Sequence, residues 1–121
     1  MSAKFEPLSR RAVACKGWRW MPGMLSDRGL RVTRCDRDGY VVGYYADLSY
    51  LAECVQGSLP DLSDPATVGC LVALVREAWK EAELSPTYYD DGTWCVGWPD
   101  SLRHRQASEA EALVAALEAA Q

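Results

Sequence analysis

Apolar and polar residues alternate along this chain with two different periods, and the changes of period mark its elements. From Ser63 to Glu83 the apolar positions Val68, Leu71, Val72, Val75, Ala78 and Trp79 recur in steps of three and four, the spacing of one face of an α-helix. Asp64 stands at the cap and Pro65 at the first helical position. A short carboxylate accepts from the free N–H groups of a first turn, and proline there gives up no bond. Charge comes late, at Arg76, Glu77, Lys80 and Glu81, with Glu77 one turn from Lys80. Gly69 lies inside the pattern, where glycine costs about 1 kcal/mol relative to alanine; it is read as a close-packing point against a strand. Ser85-Pro86 ends the element, because a residue before proline is pushed out of helical geometry. This helix is the longest element, and the rest of the chain is expected to cover it with Val68, Leu71, Val75 and Trp79 pointing inward.

The same period returns at the end of the chain. Ser108 to Ala120 places Ala110, Leu113, Val114 and Leu117 on one stripe, and Ser108 with Glu111 matches a capping box. Residues 5–16 predict a short first helix with Leu8, Ala12 and Cys15 on one side, Arg10 and Arg11 outside, and Gly17 as its stop.

Period two governs most of what lies between. Leu30 to Cys35 alternates, Asp36 to Gly39 is a turn, and Tyr40 to Ala46 is rich in β-branched and aromatic residues; together they predict a β-hairpin. Gly43 is read as a bulge or a point of close backbone approach. Thr87–Tyr89 and Thr93–Trp98 flank Asp90-Asp91-Gly92, a second hairpin signal. Trp18 to Met24 fits a short strand closed by Pro22-Gly23, and Leu102 to Gln106 a short edge strand. Asp47 to Leu62 has the residues for a short helix (Leu48, Leu51, Val55) or an edge strand, and with Gly57-Ser58 and Pro60 keeping it short it is read as a connection with a turn of helix.

Helix, short strand, hairpin, helix, hairpin, helix predicts an α+β fold. The expected architecture is two-layered: an antiparallel sheet of about four strands, with the central and C-terminal helices packed on one face. At 121 residues the chain is expected to form a single domain, 1–121. Residues 30–83 and 87–120 form two helix-after-hairpin units, a loose structural repeat that the residues themselves do not echo.

Charge changes the picture. Residues 1–37 hold nine Lys/Arg and three Asp/Glu, a balance of +6; the remainder holds four and fourteen, a balance of −10. Either half can present a contact surface, or the two can face and neutralise each other in the fold. The N-terminus lacks an apolar signal core, and no apolar run approaches the ~20 residues of a membrane span. Five cysteines without close pairing fit a reducing compartment. The expected location is the cytoplasm, with no membrane partner. With no Cys-x-x-Cys and His104 as the single histidine, structural zinc is not expected.

The chemistry-bearing motifs are few. Trp98-Pro99-Asp100 spells the loop that carries the general-acid aspartate of tyrosine phosphatases, and Cys70 and Arg76 have the required separation of six. Both lie inside the apolar helix, however, without the glycines whose backbone N–H groups wrap a phosphate. Cys70 therefore reads as a small core residue. His104 between Arg103 and Arg105 is a poor proton acceptor, since neighbouring positive charge disfavours its protonated form. Asp90-Asp91 and Asp36/Asp38 read as turn residues rather than paired ligands. No catalytic, cofactor-binding or metal-binding set is assigned, no cofactor is expected, and the chain is read as non-enzymatic.

The candidate binding surface is Arg10, Arg11, Trp18, Arg19, Trp20, Tyr40, Tyr44 and Tyr45. Arginine beside aromatic rings stacks on bases or on a partner's side chains, and Trp, Tyr and Arg anchor protein contacts. The competing reading places Trp18 and Trp20 in the core with Arg19 solvated between them.

The stretch LPDLSDPATVGCLVALVREAW (Leu59 to Trp79) resembles small uncharacterised proteins of bacteriophages and prophages. GWRWMPGM (Gly17 to Met24) and ASEAEALVAALEAA (Ala107 to Ala120) are similar to their N-terminal signature and C-terminal helix. The resemblance implies a phage-borne cytoplasmic protein and supplies no catalytic residues. The function expected is non-catalytic binding to a protein of host or phage. The alternative is a nucleic-acid-binding module using the basic N-terminal segment, and a homodimer is compatible with either.

Overall fold

A computed structural model of the protein describes residues 5–35, 41–45, 52–55, 57–96 and 105–120. In chain order the elements are α1 (Glu6–Val13), β1 (Leu30–Cys35), β2 (Val41–Tyr45), β3 (Ala52–Cys54), α2 (Pro65–Trp79), β4 (Pro86–Tyr88), β5 (Trp94–Val96) and α3 (Glu109–Ala119). The fold is α+β with antiparallel sheet. Among the described residues the strands divide into two sheets, one in the order β1-β2-β3 and one of β4-β5. Both predicted hairpins form, and Ala52–Cys54, within the stretch read as a connection with a turn of helix, is instead a strand beside β2. The expected turn at Asp36 to Gly39 and the segments 46–51 and 97–104 lie outside the described residues.

Helix α2 begins as its sequence dictates. Asp64 is extended and accepts from the backbone N–H of Thr67 at 2.9 Å, and Pro65 opens the first turn. The helix stops one turn before Ser85-Pro86. Lys80 turns left-handed (φ 54°, ψ 40°); its N–H reaches Glu77 C=O at 3.1 Å, and the N–H of Glu81 reaches Arg76 C=O at 2.9 Å. Those two bonds are the Schellman closure of a helix. Arg76 then holds the following loop, donating from Nε to Leu84 C=O at 2.6 Å and from Nη2 to the Ser85 hydroxyl at 3.0 Å. Glu77 does not pair with Lys80; its carboxylate is held by Arg19 at 2.6 Å.

Two further expectations for α2 are corrected. The buried stripe runs through Thr67, Leu71, Leu74 and Val75, and Trp79 is 47% exposed instead of pointing inward. Gly69 touches no strand: a Cβ built there meets nothing within 4 Å. The close approach is at Gly43, where a Cβ would lie 3.0 Å from Val55 and 3.1 Å from both the Arg31 carbonyl and Leu30 Cβ. The irregularity in the sheet is across from it, on β1, where the register slips between Val32 and Arg34. Leu30 and Val32 are buried before the slip, and Thr33, Arg34 and Cys35 are exposed from it onward.

Trp18 to Met24 does not form a strand. Its end is nonetheless tied to the outer edge of β1, with Gly23 N–H on Val32 C=O and Val32 N–H on Met24 C=O, both at 2.8 Å. This covers a sheet edge that would otherwise be exposed to pairing.

Helix α3 packs against α1, α2 and both strands of the second hairpin. The Ser108 hydroxyl accepts from Glu111 N–H at 3.1 Å, and Ala110, Leu113, Val114 and Leu117 are all buried, as their spacing predicts. Alanine at this density lets neighbours approach closely and suits the helix interior. One apolar cluster joins Leu8 and Ala12 of α1, Leu30 and Val32 of β1, Leu71, Leu74 and Val75 of α2 and the α3 stripe, with Val96 of β5 packed on its margin. No helix among the described residues is long and apolar enough to cross a membrane.

Candidate functional site

The arginines of the candidate surface are exposed but committed. On α1, Arg10 pairs with Glu6 one turn back at 2.8 Å. Arg11 forks onto Glu118 near the end of α3, at 2.6 and 3.2 Å. That donor pair holds the Glu118 carboxyl below its ordinary range. Arg19 pairs with Glu77. Beyond the candidate set, Arg28 donates to Cys54 C=O at 2.8 Å and lies 3.5 Å from Glu53, and Arg31 forks onto Asp64. Arg11, Arg19, Arg28 and Arg31 thus each meet a carboxylate from the second part of the chain. The two oppositely charged halves face each other at these points.

Trp18 and Trp20 meet edge to face, with ring centroids 5.6 Å apart, and both are half-buried against the apolar cluster. Arg19 between them is solvated. The geometry is that of a core margin, since the rings face the cluster rather than solvent. Gly17, just before them, has Leu117 of α3 and Ala78 of α2 within 3.0 and 3.4 Å of a built Cβ, so the chain passes close over both helices.

The tyrosines form a separate group on β2. Tyr45 packs on the cluster and donates its hydroxyl to Glu53 at 3.0 Å, which raises its pKa. Tyr44, half-buried, lies opposite Arg31 on one side and Ala52 on the other. Tyr40 lies outside the described residues. The structure therefore joins Arg11, Trp18, Arg19 and Trp20 to the packed helices, and sets Tyr44 and Tyr45 on the three-stranded sheet.

Cys70 and Arg76 do not frame a phosphate loop. Both sit on the continuous α2, where Cys70 turns its thiol to Pro22 C=O and Arg76 turns the other way to Leu84. Burial, reinforced by the nearby Asp64 charge, pushes the Cys70 thiol up, away from nucleophilic character. Trp98-Pro99-Asp100 and His104 lie outside the described residues. Among the described residues no cluster of three or more His, Cys, Asp or Glu is arranged to hold a metal ion.

The second hairpin presents what the arginine-centred reading passed over. Tyr88 is 61% exposed and, with Trp79, makes up the exposed large hydrophobic residues among those described. Its ring packs against that of Trp94 at a tilt of 51°, with centroids 5.0 Å apart. The loop between them is a three-residue turn closed by Gly92 at φ 85°, with Tyr89 N–H on Thr93 C=O at 2.9 Å and Gly92 N–H on Tyr89 C=O at 3.0 Å. On the opposite face Arg105 lies 4.1 Å over the Tyr89 ring and pairs with Asp91 at 2.8 Å, which braces the loop. The sequence signal for Tyr88 was strand alternation, which puts it on the same side as Trp94. Comparison with protein-family models, with curated proteins and with solved structures finds no match for this chain.

Proposed function

We propose that this chain works by non-catalytic binding to a protein partner, as a small accessory protein of a phage or prophage acting in the cytoplasm. The observation that carries the binding reading is the exposure of two large aromatic side chains, Tyr88 and Trp79, where the other large apolar residues among those described are buried or half-buried. Exposed Trp and Tyr are the residue types that dominate protein–protein contacts, because they bury much area while ordering few torsions. The phage setting rests on the resemblance of Leu59 to Trp79, Gly17 to Met24 and Ala107 to Ala120. The alternative, nucleic-acid binding through the N-terminal arginines, is weakened by their pairing with Glu6, Glu118 and Glu77. A guanidinium already facing a carboxylate gains less from a phosphate, because the resident pair must first be broken.

The test is affinity capture from bacterial host lysate, followed by reconstitution of the captured protein and this chain from purified components. A complex of fixed stoichiometry that survives physiological salt supports the reading. Its absence, together with a nucleic-acid mobility shift that disappears steeply with salt, overturns it in favour of the alternative.

A further inference from the structure

The second hairpin has an open edge. Tyr89 and Thr93 exchange a ladder hydrogen bond, and Tyr88 faces Trp94 at the next position. Antiparallel ladders alternate bonded and non-bonded pairs, so the backbone groups of Tyr88 and Trp94 point away from each other. On the β5 side that outward position is filled: Trp94 exchanges both backbone bonds with Gln106, at 2.8 and 2.7 Å. On the β4 side the N–H and C=O of Tyr88 have no partner among the described residues. Pro86 contributes only a carbonyl to that edge, because proline has no N–H.

Carboxylates flank the hairpin in sequence. Glu83 precedes Pro86 by three residues, Asp90 follows Tyr88 by two, and Glu109 follows Gln106, the bridge partner of Trp94, by three. None of the three has an ion-pair partner among the described residues, whereas Asp64, Glu77, Asp91 and Glu118 each have one. Among the described cations, Arg105 is engaged by Asp91 and the Tyr89 ring on the other face of the hairpin, and Lys80 stands three residues before Glu83.

We infer that the β4 edge, with the Tyr88–Trp94 pair, docks an extended segment of a partner protein that carries arginine or lysine at alternate positions. Such a segment adds as a strand through the backbone of Tyr88. Its basic side chains, projecting to the aromatic face, meet the Tyr88 and Trp94 rings, and the flanking carboxylates add long-range attraction. The inference names the partner chemistry for the binding function proposed above and rests on that reading.

The probe is a capped ten-residue peptide of alternating arginine and valine, with a counterpart in which glutamate replaces arginine. Backbone amide and tryptophan indole chemical shifts of the full chain report where each binds. The arginine peptide is expected to move the signals of 86–96, to bind about tenfold more weakly to the Tyr88→Ala variant, and to weaken with salt and in the Asp90→Asn/Glu109→Gln variant. Because Tyr88 is mostly exposed, its removal leaves the core intact, and an unchanged far-ultraviolet spectrum verifies this. Absence of binding, equal binding of the glutamate peptide, or shifts centred elsewhere overturn the inference. A reconstituted partner that binds Tyr88→Ala unchanged overturns this surface and leaves the protein-binding reading standing; absence of any reconstituted partner overturns that reading itself.

Discussion

Arg31 and Asp64 form a two-pronged ion pair, at 2.6 and 3.2 Å, that ties strand β1 to the cap of helix α2. The same carboxylate accepts from the N–H and the hydroxyl of Thr67, and Thr67 in turn accepts from Leu25 N–H at 2.9 Å. A helix cap, a sheet edge and a buried threonine are thereby held by one side chain. Asp64→Ala removes a cap, typically worth about 1 kcal/mol, and strands the Thr67 N–H. A loss of about 2 kcal/mol in urea unfolding at pH 7 is expected. Asp64→Asn keeps an acceptor for Thr67 and should lose less.

The same pair predicts a pH dependence. The Arg31 guanidinium, aided by the Thr67 donors, holds the Asp64 carboxyl below its ordinary value of 3.8. A carboxyl whose pKa is lower folded than unfolded stabilises the fold above the unfolded value. That contribution is lost as pH falls through the folded value. The stability difference between the natural chain and Asp64→Asn should therefore be constant from pH 7 to about pH 5. It should narrow below 3.8. A difference that does not change in acid would remove Asp64 as the source.

Two glycines predict opposite responses to one methyl group. At Gly43 a Cβ would press on Val55, on the Arg31 carbonyl and on Leu30 Cβ, and the backbone oxygen cannot rotate away. Overpacking of this kind costs typically about 1–3 kcal/mol, so Gly43→Ala should lower the unfolding midpoint. At Gly69 nothing lies within 4 Å and the residue is exposed in mid-helix. Gly69→Ala should raise stability by about 1 kcal/mol. Thermal unfolding of the two variants side by side measures both signs.

Lys80 is the non-glycine residue with positive φ among those described. Its Cβ opposes the left-handed conformation that closes α2, at a penalty of about 1 kcal/mol. Lys80→Gly keeps both Schellman bonds, which are made by backbone groups, and should stabilise the fold by about 0.5–1 kcal/mol. A destabilised variant would mean that the lysine side chain contributes a contact larger than that penalty.

The features legible in the sequence are those set by neighbours in the chain. Asp64-Pro65, Ser108 with Glu111, and Asp-Gly between aromatic runs each depend on residues within a turn, and each appears where expected. The phase of α2 was harder to read. Val68, Leu71, Val72, Leu74 and Val75 surround much of its circumference, so spacing alone does not choose the inward stripe, and Leu74 rather than Trp79 occupies it. The candidate surface failed to converge for a different reason. Arg11 meets Glu118 and Arg19 meets Glu77 across separations of 107 and 58 residues, and no local pattern encodes such pairs. The charge split between the halves was the visible trace of them. The unpaired edge at Tyr88 depends on which pairs of a ladder are bonded, and Gln106 takes the outward position only on the β5 side.

The cysteines supply the last prediction, because the fold sets five thiols at different depths. Cys15 and Cys95 are buried, Cys54 and Cys70 are half-buried, and Cys35 is exposed at the end of β1. Burial raises the thiol pKa of Cys15 and Cys70, which lowers the thiolate fraction that reacts. Access and ionisation thus work in the same direction. Under native conditions an uncharged alkylating reagent should modify Cys35 first and Cys15 last, and mass spectrometry of timed digests reads the order. In denaturant the order should collapse to similar rates, since both differences belong to the folded chain. If Cys15 reacts as fast as Cys35 in the native protein, α1 is not seated on α3 as its Arg11–Glu118 pair requires.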